Sequence, residues 1–332
     1  MQLQKESNNM QTLKKHKYLF LNLLVLCILS MLVLKYCEEI QTLKQDVFMS
    51  VQQQLRAKSV VSETVPTEEP DYAATENTEP PVEVHPVEAN PDAWFADRPL
   101  IYHAGGDIQG YRYTNSLEAI EQTLAKEQYF LEIDLQYTSD GHLVCAHTWS
   151  DVFPEEYQPT LEEFLQAKVQ GKFTPITAED LLRIMAKNPQ MFLVVDVKEP
   201  GTITRVITDL VTLANQDSAI LDRFIIQLYT GEEKSTLQEI YPFEDEQFLF
   251  TLYAIGYWQM EFAAHCSKEN ISVITLPQGW MPPEDAALLK ELGFIVYEHT
   301  VNRVDIARQS LEKGISSFYT DTLSPEELWE EP

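Results

Sequence analysis

Glu132 and Asp134 stand one residue apart in the run FLEIDLQY, and alternation along a strand puts both carboxylates on one face. Asp196 and Lys198 repeat that spacing in FLVVDVK. Histidines end two other apolar runs, His103 after LIY and His147 after LVCA. Three carboxylates with no cysteine nearby are donors for a hard cation, Ca²⁺ or Mg²⁺. Such a cation polarises a phosphoryl oxygen and lowers the pKa of a coordinated hydroxyl. Two imidazoles beside it suit a general base and a general acid. Lys198 would offset phosphate charge as a point donor. The His103-Ala104-Gly105-Gly106 turn leaves the backbone free to approach an anion closely. Glu132 and Asp134 on one inward face would be costly without a cation or a partner. Trp149, with Trp280 and Tyr297, could wall a small-molecule pocket, although core packing is the default for aromatic residues.

These residues need elements that bring them together. Short apolar runs recur at Leu100–His103, Tyr129–Gln136, Met191–Val197, Phe224–Leu228, Gln247–Tyr253, Ile271–Leu276, Phe294–Glu298 and Ile315–Thr320. Amphipathic stretches separate most of them, among them Asn115–Lys126, Ala178–Ala186, Ile203–Asn215, Pro282–Glu291 and Val304–Lys313. Thr177 reads as a helix cap, and Gly293 and Gly314 sit where helices should end. This alternation predicts an α/β fold, a (β/α)8 TIM-type barrel with the candidate residues at the C-terminal ends of its strands. His142–His147 follows the second run too closely for a parallel crossover, and Asp140-Gly141 is a turn signal. The segment is therefore expected to be a β-hairpin insertion after strand 2. If Thr138 opposes Gly141, Glu132 opposes His147. The excursion from His147 to Gln190 would then cover the barrel mouth.

The formal net charge of −28 argues against a nucleic-acid partner, since gripping a phosphodiester polymer takes clustered Lys and Arg. Part of that charge belongs to a spacer: Ser59 to Asp97 holds ten acidic residues and no Lys or Arg. Residues 59–97, rich in Pro, Glu and Thr, read as an extended linker. Tyr18 to Leu34 is apolar apart from Asn22 and Ser30 and reads as a transmembrane anchor, at the short end for a spanning helix. Lys14, Lys15 and Lys17 precede it, which predicts a cytoplasmic N-terminus (residues 1–17) and an exported remainder on a single-pass cell-membrane protein. A cleaved signal peptide is the rival reading, though the apolar run is long for one and no small-x-small site follows closely. Residues 35–58 read as a helical stalk; Ile40, Leu43, Val47, Val51 and Leu55 form either a dimerising seam or the thin stripe of a solvated helix. The barrel domain is expected over residues 98–326. Cys145 and Cys266, with no Cys-x-x-Cys spacing, read as two buried free thiols rather than a disulfide.

The order of these pieces resembles the glycerophosphodiester phosphodiesterase family, a sister of the phosphatidylinositol-specific phospholipase C barrels. The text that carries the resemblance is LIYHAGG, TNSLEAI, FLEIDLQYTSDGHLVCAH, FLVVDVK, VYEHTVN and FYTDT, in order over about residues 99 to 325. The resemblance implies that His103 and His147 are the catalytic acid/base pair and that Glu132, Asp134 and Asp196 hold the divalent cation. It matches Lys198 to the strand-end lysine and Asn115 to a polar residue after the first strand. It departs at Ala104, where the family has Arg, at Asp196, where it has Glu, and at His299, where it often has Trp. The activity it implies is metal-dependent hydrolysis of a glycerophosphodiester or a phospholipid head group, acting near a membrane. The alternatives are a phosphatidylinositol-type phospholipase C and a catalytically impaired cell-surface binding barrel.

Overall fold

Eight short strands, most of them followed within a few residues by a helix, close on themselves. A computed structural model describes residues 84–88, 90–153, 157–199, 201–252 and 258–329. The parallel strands are β1 (Ile101–Tyr102), β2 (Phe130–Tyr137), β4 (Phe192–Val197), β5 (Phe224–Leu228), β6 (Phe248–Thr251), β7 (Val273–Pro277), β8 (Ile295–His299) and β9 (Ser317–Thr320). Each pairs with the next in parallel, and β1 pairs with both β9 and β2, so the sheet is a closed barrel. The expected TIM-type fold is thus present, with the strands close to where alternation placed them. The transmembrane segment 18–34, the stalk 35–58 and most of the linker lie outside the described residues. Among the described residues no helix is long and apolar enough to cross a membrane.

Period-2 alternation sorts the strand residues into two layers. Leu131, Ile133, Leu135, Leu193, Val195 and Val197 point outward, into the core shared with the helices. These include α1 (Leu117–Ala125), α3 (Ala178–Lys187), α4 (Ile203–Leu213), α8 (Pro283–Glu291) and α9 (Val304–Glu312). The inward set at the N-terminal end is Ile101, Val194, Ile225, Leu249, Val273, Tyr297 and Tyr319 with Phe95. Trp94 closes that end, its indole 6.0 Å from Phe130 and from Tyr297 and its Nε1 donating to the Glu246 carbonyl at 2.7 Å. The final part of the stretch read as a linker therefore lies against the barrel: Val84 and Val87 pack on the outer core, and Phe95 is fully buried.

Thr177 caps α3 in a reciprocal capping box with Asp180. Cys145 and Cys266 are buried free thiols, as expected. The hairpin is also present, with β3 (Leu143–Cys145) antiparallel to β2. Its register differs from expectation by one residue. Leu135 pairs with Cys145, so Thr138 closes the loop against His142 rather than Gly141. A three-residue loop accommodates Gly141 at φ +85°, a left-handed position that glycine takes without steric cost. Ala146 then donates to the Asp134 carbonyl at 3.0 Å, and His147 falls one residue short of the position opposite Glu132.

After β3, Trp149 to Thr177 forms a side layer containing α2 (Leu161–Gln166) and the Val169–Phe173 bridge. This layer braces the loop after β1: Ile108 packs with Val169 and Phe173, and the Tyr111 ring stands 5.3 Å from Phe173. The rest of the excursion, α3, is an ordinary barrel helix.

Candidate active site

The first strand stops early, and its last expected residue, His103, begins a tight turn over His103–Gly105. Gly106 follows at φ +91°, and a Cβ there would meet the Thr123 hydroxyl at 2.6 Å. The glycines thus let the turn sit on α1, and the backbone donor they were expected to free is spent inside the protein. The Ala104 N–H donates to Glu132 Oε2 at 2.7 Å.

Glu132, Asp134 and Asp196 converge at the C-terminal end of β2 and β4, each with a carboxylate oxygen within 4.8 Å of the others. All three are buried. Asn115 clamps Asp134 in both directions, its amide donating to Oδ2 at 2.7 Å and its Oδ1 accepting from the Asp134 N–H at 3.0 Å. Lys198 bridges the cluster, donating to Asp196 Oδ2 at 3.2 Å and lying 3.1 Å from Asp134 Oδ1. The second contact is ionic without hydrogen-bond alignment, and Asp134 Oδ1 and Glu132 Oε1 are buried oxygens with no hydrogen-bond donor. The Tyr229 hydroxyl donates to Asp196 Oδ1 and accepts from Gln227, which in turn takes the Tyr319 hydroxyl at 3.1 Å. A polar chain across the barrel interior therefore fixes Asp196.

Burial pushes the Glu132 carboxyl well above its ordinary range, and the Asp134 and Asp196 charges push it further. Asp196 is raised chiefly by burial, against the pull of Lys198. Burial also acts to raise Asp134, but Lys198, His103, His147 and the Asn115 amide outweigh it and hold this carboxylate low. The cluster thus favours the charged form at Asp134, beside Lys198, and the protonated form at Glu132. Glu132 Oε1, without a donor, and Asp134 Oδ1, which faces only the Lys198 ammonium, are buried hard oxygens that fit a divalent cation.

Two histidines share the mouth. His103 Nδ1 lies 3.0 Å from Asp321 Oδ1, and Asn302 Nδ2 donates to Asp321 Oδ2 at 2.6 Å. His147 Nδ1 lies 3.3 Å from Asp151 Oδ2, the residue four positions on. A carboxylate facing each Nδ1 takes a proton there, which leaves each Nε2 as the working nitrogen. The Tyr113 ring meets both imidazoles, with centroids 4.6 Å from His103 and 4.7 Å from His147. Burial, then the charges of Asp321, Asp134 and Glu132, pushes its phenol upward.

Six of the eight residues singled out from sequence thus surround one mouth: His103, Glu132, Asp134, His147, Asp196 and Lys198. Asn115 is turned inward as the clamp on Asp134. Trp149 is buried with Val144, Ala146 and Phe164 in a cluster of its own. Asp321, the acid of the FYTDT text, faces His103 rather than only bracing the last strand. Asn302, Asp151, Tyr113 and Tyr229 are additions. Asp151 was findable as a carboxylate four residues after a histidine. Tyr113 and Tyr229 carry no sequence signal, because loop path alone brings them in.

No family model matches the chain, and no curated relative matches it. Solved structures do. A glycerophosphoryl diester phosphodiesterase from Parabacteroides distasonis aligns with 21% identity and TM-score 0.54, over 75% of this chain and 93% of that one. An Oleispira antarctica phosphodiesterase, solved in complex with its product sn-glycerol-3-phosphate, aligns with 17% identity and TM-score 0.55, over 69% of this chain and 94% of that one. At such identities the likeness establishes the fold: this chain has the TIM-type barrel that solved glycerophosphodiester phosphodiesterases share.

Proposed function

We propose that the barrel is a metal-dependent phosphoric diester hydrolase acting on a glycerophosphodiester. The observation that carries this reading is the pairing of a three-carboxylate nest with two imidazoles, each held at Nδ1 by its own carboxylate, at one barrel mouth. A Ca²⁺ or Mg²⁺ ion held by Glu132, Asp134 and Asp196 would supply Lewis-acid polarisation of a phosphoryl oxygen. His103 and His147 divide proton transfer: one Nε2 takes the proton of the attacking hydroxyl, the other protonates the leaving alcohol. Asp321 and Asp151 hold the two tautomers and stabilise each imidazolium as it forms. Lys198, paired with Asp134 and Asp196, would offset part of the carboxylate charge that faces the phosphate. The fold shared with glycerophosphodiester phosphodiesterases supports the substrate class. The decisive assay incubates the full chain with glycerophosphocholine and Ca²⁺ or Mg²⁺ and follows glycerol 3-phosphate release. Full turnover in excess EDTA would refute the metal-dependent form, and no release with any divalent cation would refute the hydrolase.

A rival reading, a barrel that binds without turnover, draws on Tyr113, whose ring meets both histidines. Cation and phosphate-ester binding without hydrolysis across a diester panel would favour it. The site is set, on this proposal, at a cell surface: residues 18–34 anchor the chain, the N-terminus stays cytoplasmic, and the barrel is exported. The nearby membrane keeps a phospholipase C activity on intact lipids as the alternative substrate range, which parallel assays on intact and deacylated lipids would separate. Retention in alkaline-washed membranes, with the barrel cleaved by protease added to intact cells, tests the topology. Crosslinking through cysteines placed along 35–58 tests the stalk as a dimer seam.

A further inference from the structure

The loop between β1 and α1 delivers a cation to the mouth along with Tyr113. Its path is fixed at several points. Asp107 donates to the Asp321 carbonyl at 2.8 Å, and Ile108 and Tyr111 bridge across Gln109-Gly110. Gln170 Nε2 reaches the Arg112 carbonyl at 2.6 Å. Arg112 therefore has a held backbone on both sides and a side chain that reaches Asp321, the carboxylate facing His103. Its Nε lies 3.5 Å from Asp321 Oδ2, and its side chain is 46% exposed. Among the described residues nothing bonds Nη1 or Nη2.

Asp321 does not need that contact for its own charge, since His103 and Asn302 already donate to it. The charge balance of the mouth suggests what the guanidinium is for. Lys198 is committed to Asp134 and Asp196. One divalent cation plus Lys198 would neutralise the three carboxylates and leave no positive excess to hold an anionic diester. The chain as a whole, at −28, repels one. A guanidinium whose Nε faces a carboxylate can turn its two terminal amines outward as a fork, which matches two phosphate oxygens.

We propose that Arg112 is the phosphate-binding residue of this site, gripping non-bridging oxygens through Nη1 and Nη2 while Nε stays on the carboxylate that orients His103. This rests on the hydrolase reading above. The test uses the full chain with Mg²⁺ or Ca²⁺, as wild type, Arg112→Ala and Arg112→Lys. Calorimetric titration with glycerol 3-phosphate reads binding without turnover, glycerophosphocholine kinetics separate KM from kcat, and a melting curve reports folding. Arg112→Ala should weaken glycerol 3-phosphate binding and raise KM by about ten- to a hundredfold, as loss of a charge-assisted hydrogen bond does, with kcat changed far less. Arg112→Lys should recover part of the binding, and free guanidinium should rescue the alanine variant. Binding and KM within twofold of wild type would overturn the assignment while leaving the hydrolase reading intact. A loss of kcat with KM unchanged and a displaced pH profile would also overturn it, because Arg112 would then act only by positioning His103. A wild-type protein that neither binds glycerol 3-phosphate nor hydrolyses the diester would sink both readings.

Discussion

Replacing Glu132 by Gln separates the cation from the fold. In the cation-free protein burial raises the Glu132 carboxyl and so favours its protonated form, which a neutral amide of the same shape imitates. The amide oxygen still accepts from Ala104. Cation-free stability should change little, by about 1 kcal/mol or less given the retained hydrogen bond. Cation binding should be largely lost, because a neutral amide replaces one of three anionic ligands. A cation at a hundred times its Kd stabilises the folded state by about 2.7 kcal/mol. For a domain of this size about 2–4 °C of Tm accompanies each kcal/mol, so the wild type should gain about 5–11 °C. The assay is a melting curve of each protein in chelator, then with Ca²⁺ or Mg²⁺ at matched concentration. A cation-induced gain in Glu132→Gln equal to that of wild type would refute the assignment of Glu132 as a ligand. A large loss of stability in chelator would refute the protonated carboxyl.

His103→Ala and His147→Ala should each lower kcat by about 10²–10⁴-fold, the range of general acid–base catalysis, while the cation-induced Tm gain persists. Asp321→Asn should cost about ten- to a hundredfold in kcat, since the His103 Nδ1 proton loses a charged acceptor, with a shifted pH–rate profile as the readout. In chelator the folded-state pKa of Glu132 lies above its unfolded value, so the stability contributed by its proton is complete at low pH and lost as pH rises through the raised value. Asp196 acts in the same direction, whereas the lowered Asp134 contributes stability that is lost only as pH falls through its own depressed value. Melting temperatures of wild type relative to Glu132→Gln should therefore decline from acid toward alkaline pH in chelator, and saturating cation should remove the decline. Asn115→Ala should lower Tm by several degrees, because Asp134 loses two buried hydrogen bonds at about 1–3 kcal/mol each.

The barrel was legible in the sequence because its strands are buried on both faces and its helices are amphipathic, so two periods alternate along the chain. The carboxylate cluster was legible for the same reason, since Glu132, Asp134 and Asp196 break apolar runs at inward positions. The hairpin was legible in kind but not in register, because Asp140-Gly141 suits loops of two or three residues and only strand packing chooses between them. The partners that tune the site were mostly hidden. Tyr113 and Arg112 come from a loop whose course depends on Phe173 and Gln170, residues some sixty positions away. Trp149 was offered as a pocket wall because aromatic residues serve in both places, and its packing against Phe164 gives no sign in the sequence.

The barrel closes through its shortest strand. β1 contributes one register pair to β2, Tyr102 with Leu131, and two to β9, whereas β2 and β4 share six. This seam should therefore open more readily than any other part of the wall, and amide hydrogen exchange at Ile101–Ala104 should be fast for residues so well buried. The Ala104 N–H crosses that seam to Glu132, the residue a cation would also hold. Loading the site would then act as a clasp on the wall, and slowed exchange at Ala104 would register the ion before any substrate is added.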